Sequence, residues 1–379
     1  MKLAVVAGEA SGDLHAAEVI AELRKLDPTV STFGIGGDLL QQQGMTILHH
    51  AREMGIVGLF NVIRHLGMFR RIFRELIDRI ARERPDIVLL VDYPDFNLRV
   101  AKRCKEMGLR VVYYISPQIW AWRRGRVKHI AKYVDHMIVI FPFEEEFYRR
   151  HKVPVTYVGH PLIEELVGPT LSRPGPTGES ALRVALLPGS RRMEVNALLP
   201  RMLEAIAILR GVPPPTSAAH AAEVRGSTQI ETFIVQAPTI DRALLESLAP
   251  GVQIVPHDRG EAVASADVAL SSSGTATLEC AVLGTPVVVM YRLSPMTYRL
   301  AKWLVRLPYF SLVNIVAGKQ VVPELLQSDV TGRNIAAAVR KLLADRERVR
   351  EELRAVRSKL GEPGASRRAA EAIMSVARA

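Results

Sequence analysis

Lys2-Leu3-Ala4-Val5-Val6-Ala7-Gly8-Glu9-Ala10-Ser11-Gly12-Asp13 runs from an unbroken apolar segment straight into small and acidic residues. This reads as a strand entering a short loop, with a helix expected to start near Leu14. Small residues at such a junction let backbone N–H groups approach a ligand at a helix N-terminus. The spacing is not Gly-x-Gly-x-x-Gly, and no acidic residue follows the second strand at the ribose position, so a dinucleotide site is disfavoured. An ordinary tight turn is the plain alternative; Glu9 beside a serine tilts the reading toward function.

The same strand-then-helix alternation continues on both sides of the middle of the chain, which predicts an α/β fold of parallel layers. Strands are expected at Lys2 to Ala7, Thr32 to Ile35, Ile87 to Val91, Arg110 to Ile115, His136 to Ile140 and Thr156 to Val158. A second series is expected at Arg183 to Leu187, Thr232 to Gln236, Val252 to Val255, Asp267 to Ser271 and Pro286 to Met290. Between the two series, Gly168 to Ser180 is rich in proline and glycine and reads as a linker. Gly211 to Ser227, with consecutive prolines, reads as a surface insertion or disordered loop. Two Rossmann-like halves facing each other across a cleft is the simplest architecture, with ligands beyond the carboxyl ends of the strands.

At 379 residues the chain is long enough for two domains with cores of their own. Lysine and arginine number 50 against 39 acidic residues, a net charge of +11 that favours an anionic partner: nucleic acid, a phosphate-bearing substrate or anionic lipid. The basic residues are spread and match no nucleic-acid module, which argues against a non-enzymatic nucleic-acid-binding protein. Apolar runs stop at five residues, far short of the roughly 18 a spanning helix needs. The N-terminus has no apolar leader, and only Cys104 and Cys280 occur, so a cytosolic, reducing location is expected.

Further chemistry-bearing segments also follow predicted strands. Asp92-Tyr93-Pro94-Asp95-Phe96-Asn97 brings two carboxylates to a strand end, where one can accept a proton from a sugar hydroxyl; capping of the next helix by Asp95 or Asn97 is the alternative. In Ser116-Pro117-Gln118-Ile119-Trp120-Ala121-Trp122-Arg123 the aromatics can flank a sugar or simply pack. Leu187-Pro188-Gly189-Ser190-Arg191 places Arg191 where it can neutralise a phosphate. Ser271 to Thr277 leads into a helix whose free N–H groups suit a diphosphate, and Glu279 lies where a carboxylate can take ribose hydroxyls. No Asp-x-Asp pair and no histidine ligand spacing occur, so no metal or other cofactor is expected, and cationic side chains and helix dipoles must stabilise the leaving group.

After Gly58, residues Val62, Leu66, Phe69, Phe73, Leu76 and Ile80 form a helical stripe that reads as core. Phe60, Ile63 and Met68 lie off that stripe among Arg64, Arg70, Arg71 and Arg74, a face able to rest on an anionic membrane.

Taken together, these segments resemble the lipid-A-disaccharide synthase family of GT-B glycosyltransferases. The resemblance is carried by Gly8 to Asp13, Gly34-Ile35-Gly36-Gly37, Pro94 to Asn97, Ser116 to Trp122, Leu187 to Arg191, Ser273 to Glu279 and Asn314 to Leu326, in order along nearly the whole chain; Gly211 to Ser227 departs from it. It implies an acceptor-binding Rossmann-like domain over residues 1–167 and a UDP-sugar-binding one over 181–340. Helices over 341–379 would pack back on the first. It also implies inverting transfer of 2,3-diacylglucosamine from its UDP derivative to 2,3-diacylglucosamine 1-phosphate, giving a β-1,6-linked disaccharide phosphate and UDP. Asp95 is then the leading candidate for the base, and Glu9 and Ser11 position acceptor or donor. Ser190 and Arg191 meet the diphosphate, Glu279 holds the ribose, and Ser273, Gly274, Thr275 and Asn314 surround the nucleotide. The implied partners are the two acylated sugars and, peripherally, the anionic inner-membrane surface from the cytoplasmic side, with a homodimer left open. A GT-B enzyme acting on a peptidoglycan precursor, or a UDP-sugar epimerase, would share the nucleotide half; the Glu9 loop and Pro94 to Asn97 discriminate against both.

Overall fold

The computed structural model describes residues 1–55, 62–121, 124–166, 181–211, 229–256, 260–293, 298 and 308–378. The expected linker Gly168 to Ser180 lies outside the described residues, as does all but Gly211 of the segment Gly211 to Ser227. The chain divides into two compact units, Met1–Glu164 with Leu360–Ala379, and Glu165–Lys359.

The first unit carries a parallel sheet of seven strands: β1 (Lys2–Ala7), β2 (Ser31–Gly36), β3 (Thr46–His50), β4 (Ile87–Val91), β5 (Val111–Tyr114), β6 (His136–Val139) and β7 (Val155–Tyr157), in the order β3-β2-β1-β4-β5-β6-β7. All of β4 and nearly all of β1 are buried, because helices cover both faces of a parallel sheet and leave no polar side to alternate with. The order reverses between β1 and β4, and the register Ala7↔Val91 brings those two strands to an end side by side. This is the topological switch point at which such sheets bind ligands.

The helix after β1 begins at Ala10, four residues before the expected start. Glu9 is its extended N-cap, and Asp13 N–H donates to the Glu9 carbonyl at 2.9 Å, so Ala10 to Asp13 already form its first turn. Strand β3 was not expected: it is a half-buried edge strand ending in two histidines and lacks the apolar run that marks the inner strands. Of the helix Val62–Glu83, Ile72, Leu76, Ile77 and Ile80 are buried, and Phe69 and Phe73 pack against the core. Met68 does so too, which corrects its assignment to an off-core face; Phe60 and the side chains of Ile63 and Arg64 lie outside the described residues.

The second unit carries six parallel strands: β8 (Leu182–Leu187), β9 (Ile230–Gln236), β10 (Gln253–Pro256), β11 (Val268–Ser272), β12 (Val287–Tyr291) and β13 (Glu324–Leu326), ordered β10-β9-β8-β11-β12-β13. Its switch point falls between β8 and β11, where Leu187 pairs with Ser271. Of the C-terminal segment, the helix Arg346–Lys359 belongs to this unit and Ala365–Arg378 to the first. Arg368 ties the latter down, donating to the carbonyls of Val158 at 2.8 Å, Pro363 at 2.8 Å and Glu362 at 2.6 Å. Among the described residues no helix is long and apolar enough to cross a membrane.

Candidate active site

At the first switch point Gly8 lies flat beneath Tyr93: a Cβ there would sit 2.7 Å from the ring, so only glycine lets the β1 loop pass under the residue that follows Asp92. Asp92 and Tyr93 both adopt left-handed backbone, φ 45° and 47°, which costs a non-glycine residue energy and needs support from its surroundings. That support is dense. The Asp92 carbonyl accepts from Tyr113 Oη at 2.5 Å and from Asn97 Nδ2 at 2.8 Å, and Asp92 N–H donates to the Tyr114 carbonyl at 3.1 Å. Asn97, fully buried, also donates to the Val91 carbonyl at 3.1 Å, so its side chain braces this turn.

The strained turn presents Asp92 beside Glu9. Burial, and then the Glu9 charge, push the Asp92 carboxyl up to about 6; the Tyr93 N–H and His15 oppose the shift. Asp95, one turn on, has different surroundings. It is exposed in the first turn of the helix Pro94–Glu106 and forms an ion pair with Arg126. The two carboxylates thus differ in setting: Asp92 is partly buried beside Glu9, and Asp95 is exposed and ion-paired. Glu9 and Ser11 are exposed at the helix start, whereas Asp13 is buried and accepts from Gly37 N at 2.5 Å and Leu39 N at 3.0 Å, fastening the Gly36-Gly37 turn.

Trp120 turns inward. Its indole N–H donates to Glu144 at 3.0 Å and its ring meets Phe143 edge-on at 4.7 Å, so it packs within the first unit rather than lining a sugar. Glu144 is buried with its carboxyl pushed up to about 8, and Ser116 Oγ shares a 2.8 Å hydrogen bond with Tyr148, which together fix the start and middle of this loop. Trp122 and Arg123 lie outside the described residues.

At the second switch point Gly189 has φ 120°, and a Cβ there would stand 2.5 Å from Glu194 Oε2 and 3.3 Å from Ser272 Oγ. The loops after β8 and β11 therefore meet at a glycine that no larger residue can replace without moving them. Ser190 N–H donates to Glu194 Oε2 at 3.2 Å, Arg191 pairs with Glu194 Oε1 at 3.2 Å, and Thr239 Oγ1 donates to the Ser190 carbonyl at 2.5 Å. Beside them Gly274 caps the helix Thr275–Val282, with nothing within 4 Å of where its Cβ would be. Gly274 and Thr275 are exposed, and Ser273 and Glu279 half-buried. Two helix starts and an exposed arginine at these loops have the chemistry to meet an anion such as a diphosphate.

Asn314 departs from expectation. It is fully buried; its Nδ2 donates to Val322 O at 2.9 Å and Glu324 Oε1 at 2.8 Å, and its Oδ1 accepts from Val321 N at 2.8 Å and Val322 N at 3.0 Å. All four hydrogen-bonding positions of the amide are used inside the protein, so it cannot also hold a nucleotide. Its influence passes through Glu324, which accepts from Phe310 N at 3.1 Å and Ser311 N at 2.9 Å, while Phe310 O accepts from Ser273 Oγ at 3.4 Å. Glu194 and Glu324 were not anticipated; only the position of Glu194, three residues past Arg191 in a helix first turn, carried a signal.

Among solved structures, UDP-GlcNAc 2-epimerase from Neisseria meningitidis bound to UDP-GlcNAc is similar with a TM-score of 0.62 and 16% identity, over 99% of this chain and 100% of that one. CalG4, the calicheamicin glycosyltransferase, is similar with a TM-score of 0.58 and 17% identity, over 99% and 98%. At such identities the likeness speaks to fold alone, the GT-B architecture of two Rossmann-like domains. Sequence is more discriminating. The lipid-A-disaccharide synthase of Myxococcus xanthus is 41% identical over 392 residues, 99% of this chain and 97% of that protein. With the family model for lipid-A-disaccharide synthetase matching residues 3–376, this chain belongs to the lipid-A-disaccharide synthase family.

Proposed function

We propose that Asp92 is the base and the two loops of the second unit the diphosphate clamp of an inverting hexosyl transfer. As a lipid-A-disaccharide synthase, the chain transfers 2,3-diacylglucosamine from UDP-2,3-diacylglucosamine to 2,3-diacylglucosamine 1-phosphate in lipopolysaccharide biosynthesis. The products are the β-1,6-linked disaccharide 1-phosphate and UDP. Asp92 takes the proton of the acceptor hydroxyl as its oxygen forms a bond to the anomeric carbon from the face opposite the leaving group. The bond from that carbon to the diphosphate breaks with its electron pair going to UDP. A single displacement of this kind inverts the carbon and needs no covalent intermediate.

The observation that carries the assignment is the desolvated Asp92 beside Glu9 where β1 and β4 end together. Glu9 and Ser11 are placed to orient the acceptor at the same strand ends. Arg191 and the N–H groups at Gly274 and Thr275 take up charge developing on the diphosphate beside Ser190, and Glu279 takes the ribose hydroxyls. A radiolabelled transfer assay with diacylated and non-acylated UDP-glucosamine tests the reaction; turnover of the non-acylated donor alone would overturn it. In the same assay, activity should survive excess EDTA, because Arg191 and the two helix starts offset the diphosphate charge without a divalent ion. Loss restored by magnesium or manganese would refute this.

The acylated substrates also bring the protein to a membrane surface. Arg70, Arg71 and Arg74 are exposed on the helix Val62–Glu83 and support peripheral binding to anionic lipid, each arginine near the surface adding about 1 kcal/mol within a Debye length. Replacing all three by Glu should release the protein from anionic vesicles in a low-salt flotation assay while UDP binding persists. If the triple variant floats like the parent, the contact lies elsewhere.

A further inference from the structure

Every anion site raises the question of what its donors do before the anion arrives. Here the answer is a side chain. Glu194 spreads its two oxygens over the loop assigned to the diphosphate, Oε2 on Ser190 N–H and Oε1 on Arg191, both at 3.2 Å. Its carboxylate also lies near the end of β11, since a Cβ built on Gly189 would stand 2.5 Å from Glu194 Oε2 and 3.3 Å from the Oγ of Ser272, the last residue of that strand. From β12, Tyr291 faces both charges: burial, and then Glu194, raise the pKa of its phenol, and Arg191 lowers it. A glutamate in a first helical turn reaching back to a preceding N–H is, by itself, an ordinary cap. This one stands where β8, β11 and β12 end, at the centre of the proposed diphosphate site, with its side chain only 18% exposed.

We infer that Glu194 is an anionic placeholder: it holds Arg191 and the Ser190 N–H in position and yields Arg191 to the incoming diphosphate, its negative charge then keeping UDP exchangeable. The inference rests on the diphosphate reading above. Two physical points support it. The Arg191 side chain is 79% exposed, so its bridge to Glu194 is weak and a doubly charged diphosphate can recruit it. The carboxylate, once relieved of its arginine, is a like charge beside the bound diphosphate, in a partly shielded place where water screens it little. Binding is thereby loosened for donor and UDP alike, and the product leaves after each turn.

Glu194→Gln tests this, because the amide keeps an oxygen to accept the Ser190 N–H and loses only the charge. UDP affinity by calorimetry at low salt should tighten by roughly three- to thirty-fold, and product inhibition by UDP should deepen by the same factor. The difference between parent and variant should narrow as salt rises, since it comes from charge repulsion. Glu194→Ala, which also removes the cap, should in addition lower the melting temperature. Unchanged UDP affinity in Glu194→Gln would mean Glu194 is a cap only; weaker binding would mean it orients Arg191 for the ligand. Either result overturns the placeholder. If the parent protein does not bind UDP at all, the diphosphate reading fails first and takes this inference with it.

Discussion

Asp92→Asn should lower the transfer rate by about 10²- to 10⁴-fold, the range a positioned general base contributes, with UDP affinity nearly unchanged. Asparagine preserves the shape and the turn but cannot accept a proton. The base must be ionised, and its carboxyl is pushed up to about 6, so the parent's kcat/KM should fall tenfold per pH unit below that value and level off above it. Asp95→Asn should keep the rate within about an order of magnitude, because Asp95 is exposed and ion-paired with Arg126. A dead Asp95→Asn beside an active Asp92→Asn would return the role to Asp95.

The same substitution should stabilise the protein. An aspartate raised from 3.8 to about 6 in the fold ionises first in the unfolded chain, so its penalty is absent below pH 4, grows as pH rises through that window, and is complete above it. The shift corresponds to about 3 kcal/mol at most. The melting temperature of Asp92→Asn should therefore exceed the parent's at pH 8 and approach it near pH 4. A gain independent of pH would show that burial of the charge is not what the site opposes. Together with two consecutive left-handed residues, a pH-dependent gain would mark a turn kept for the proposed chemistry at the expense of stability.

Why the sequence points to Asp95 while the proposed base is Asp92 is a matter of register. Both flank Tyr93-Pro94, and nothing in that spacing says which faces water. Only the pairing Ala7↔Val91 sets Asp92 beside the Gly8-Glu9 loop and desolvates it. Inner strands such as β4 and β12 are legible because burial on both faces requires an unbroken apolar run. Two of the four edge strands escape: β3 is half-buried, and β13 is three residues long after Pro323, whereas β7 and β10 are legible. Asn314 shows the same limit at a side chain. An amide near a nucleotide motif invites a binding role, but the return of Val321 and Val322 onto it, seven and eight residues later, uses both lone pairs of its oxygen.

Arg191→Ala carries the second large expectation, a loss in both UDP affinity and transfer rate of roughly thirty-fold to several hundredfold. The estimate follows from about 2 to 4 kcal/mol for a charge-assisted contact to a diphosphate whose charge grows as the glycosidic bond breaks. Stability should hardly change, because the side chain is 79% exposed and its bridge to Glu194 is a surface pair. That separates it from Gly189→Ala, where a Cβ 2.5 Å from Glu194 Oε2 and a φ of 120° would displace the loop itself and lower stability as well as binding. Lysine at 191 should recover part of the affinity: it restores a point charge but not the planar fork that meets two phosphate oxygens at once. If calorimetry finds UDP affinity unchanged in Arg191→Ala, the diphosphate does not rest on this loop, and the exposed helix start at Gly274 and Thr275 must hold it without an arginine from β8.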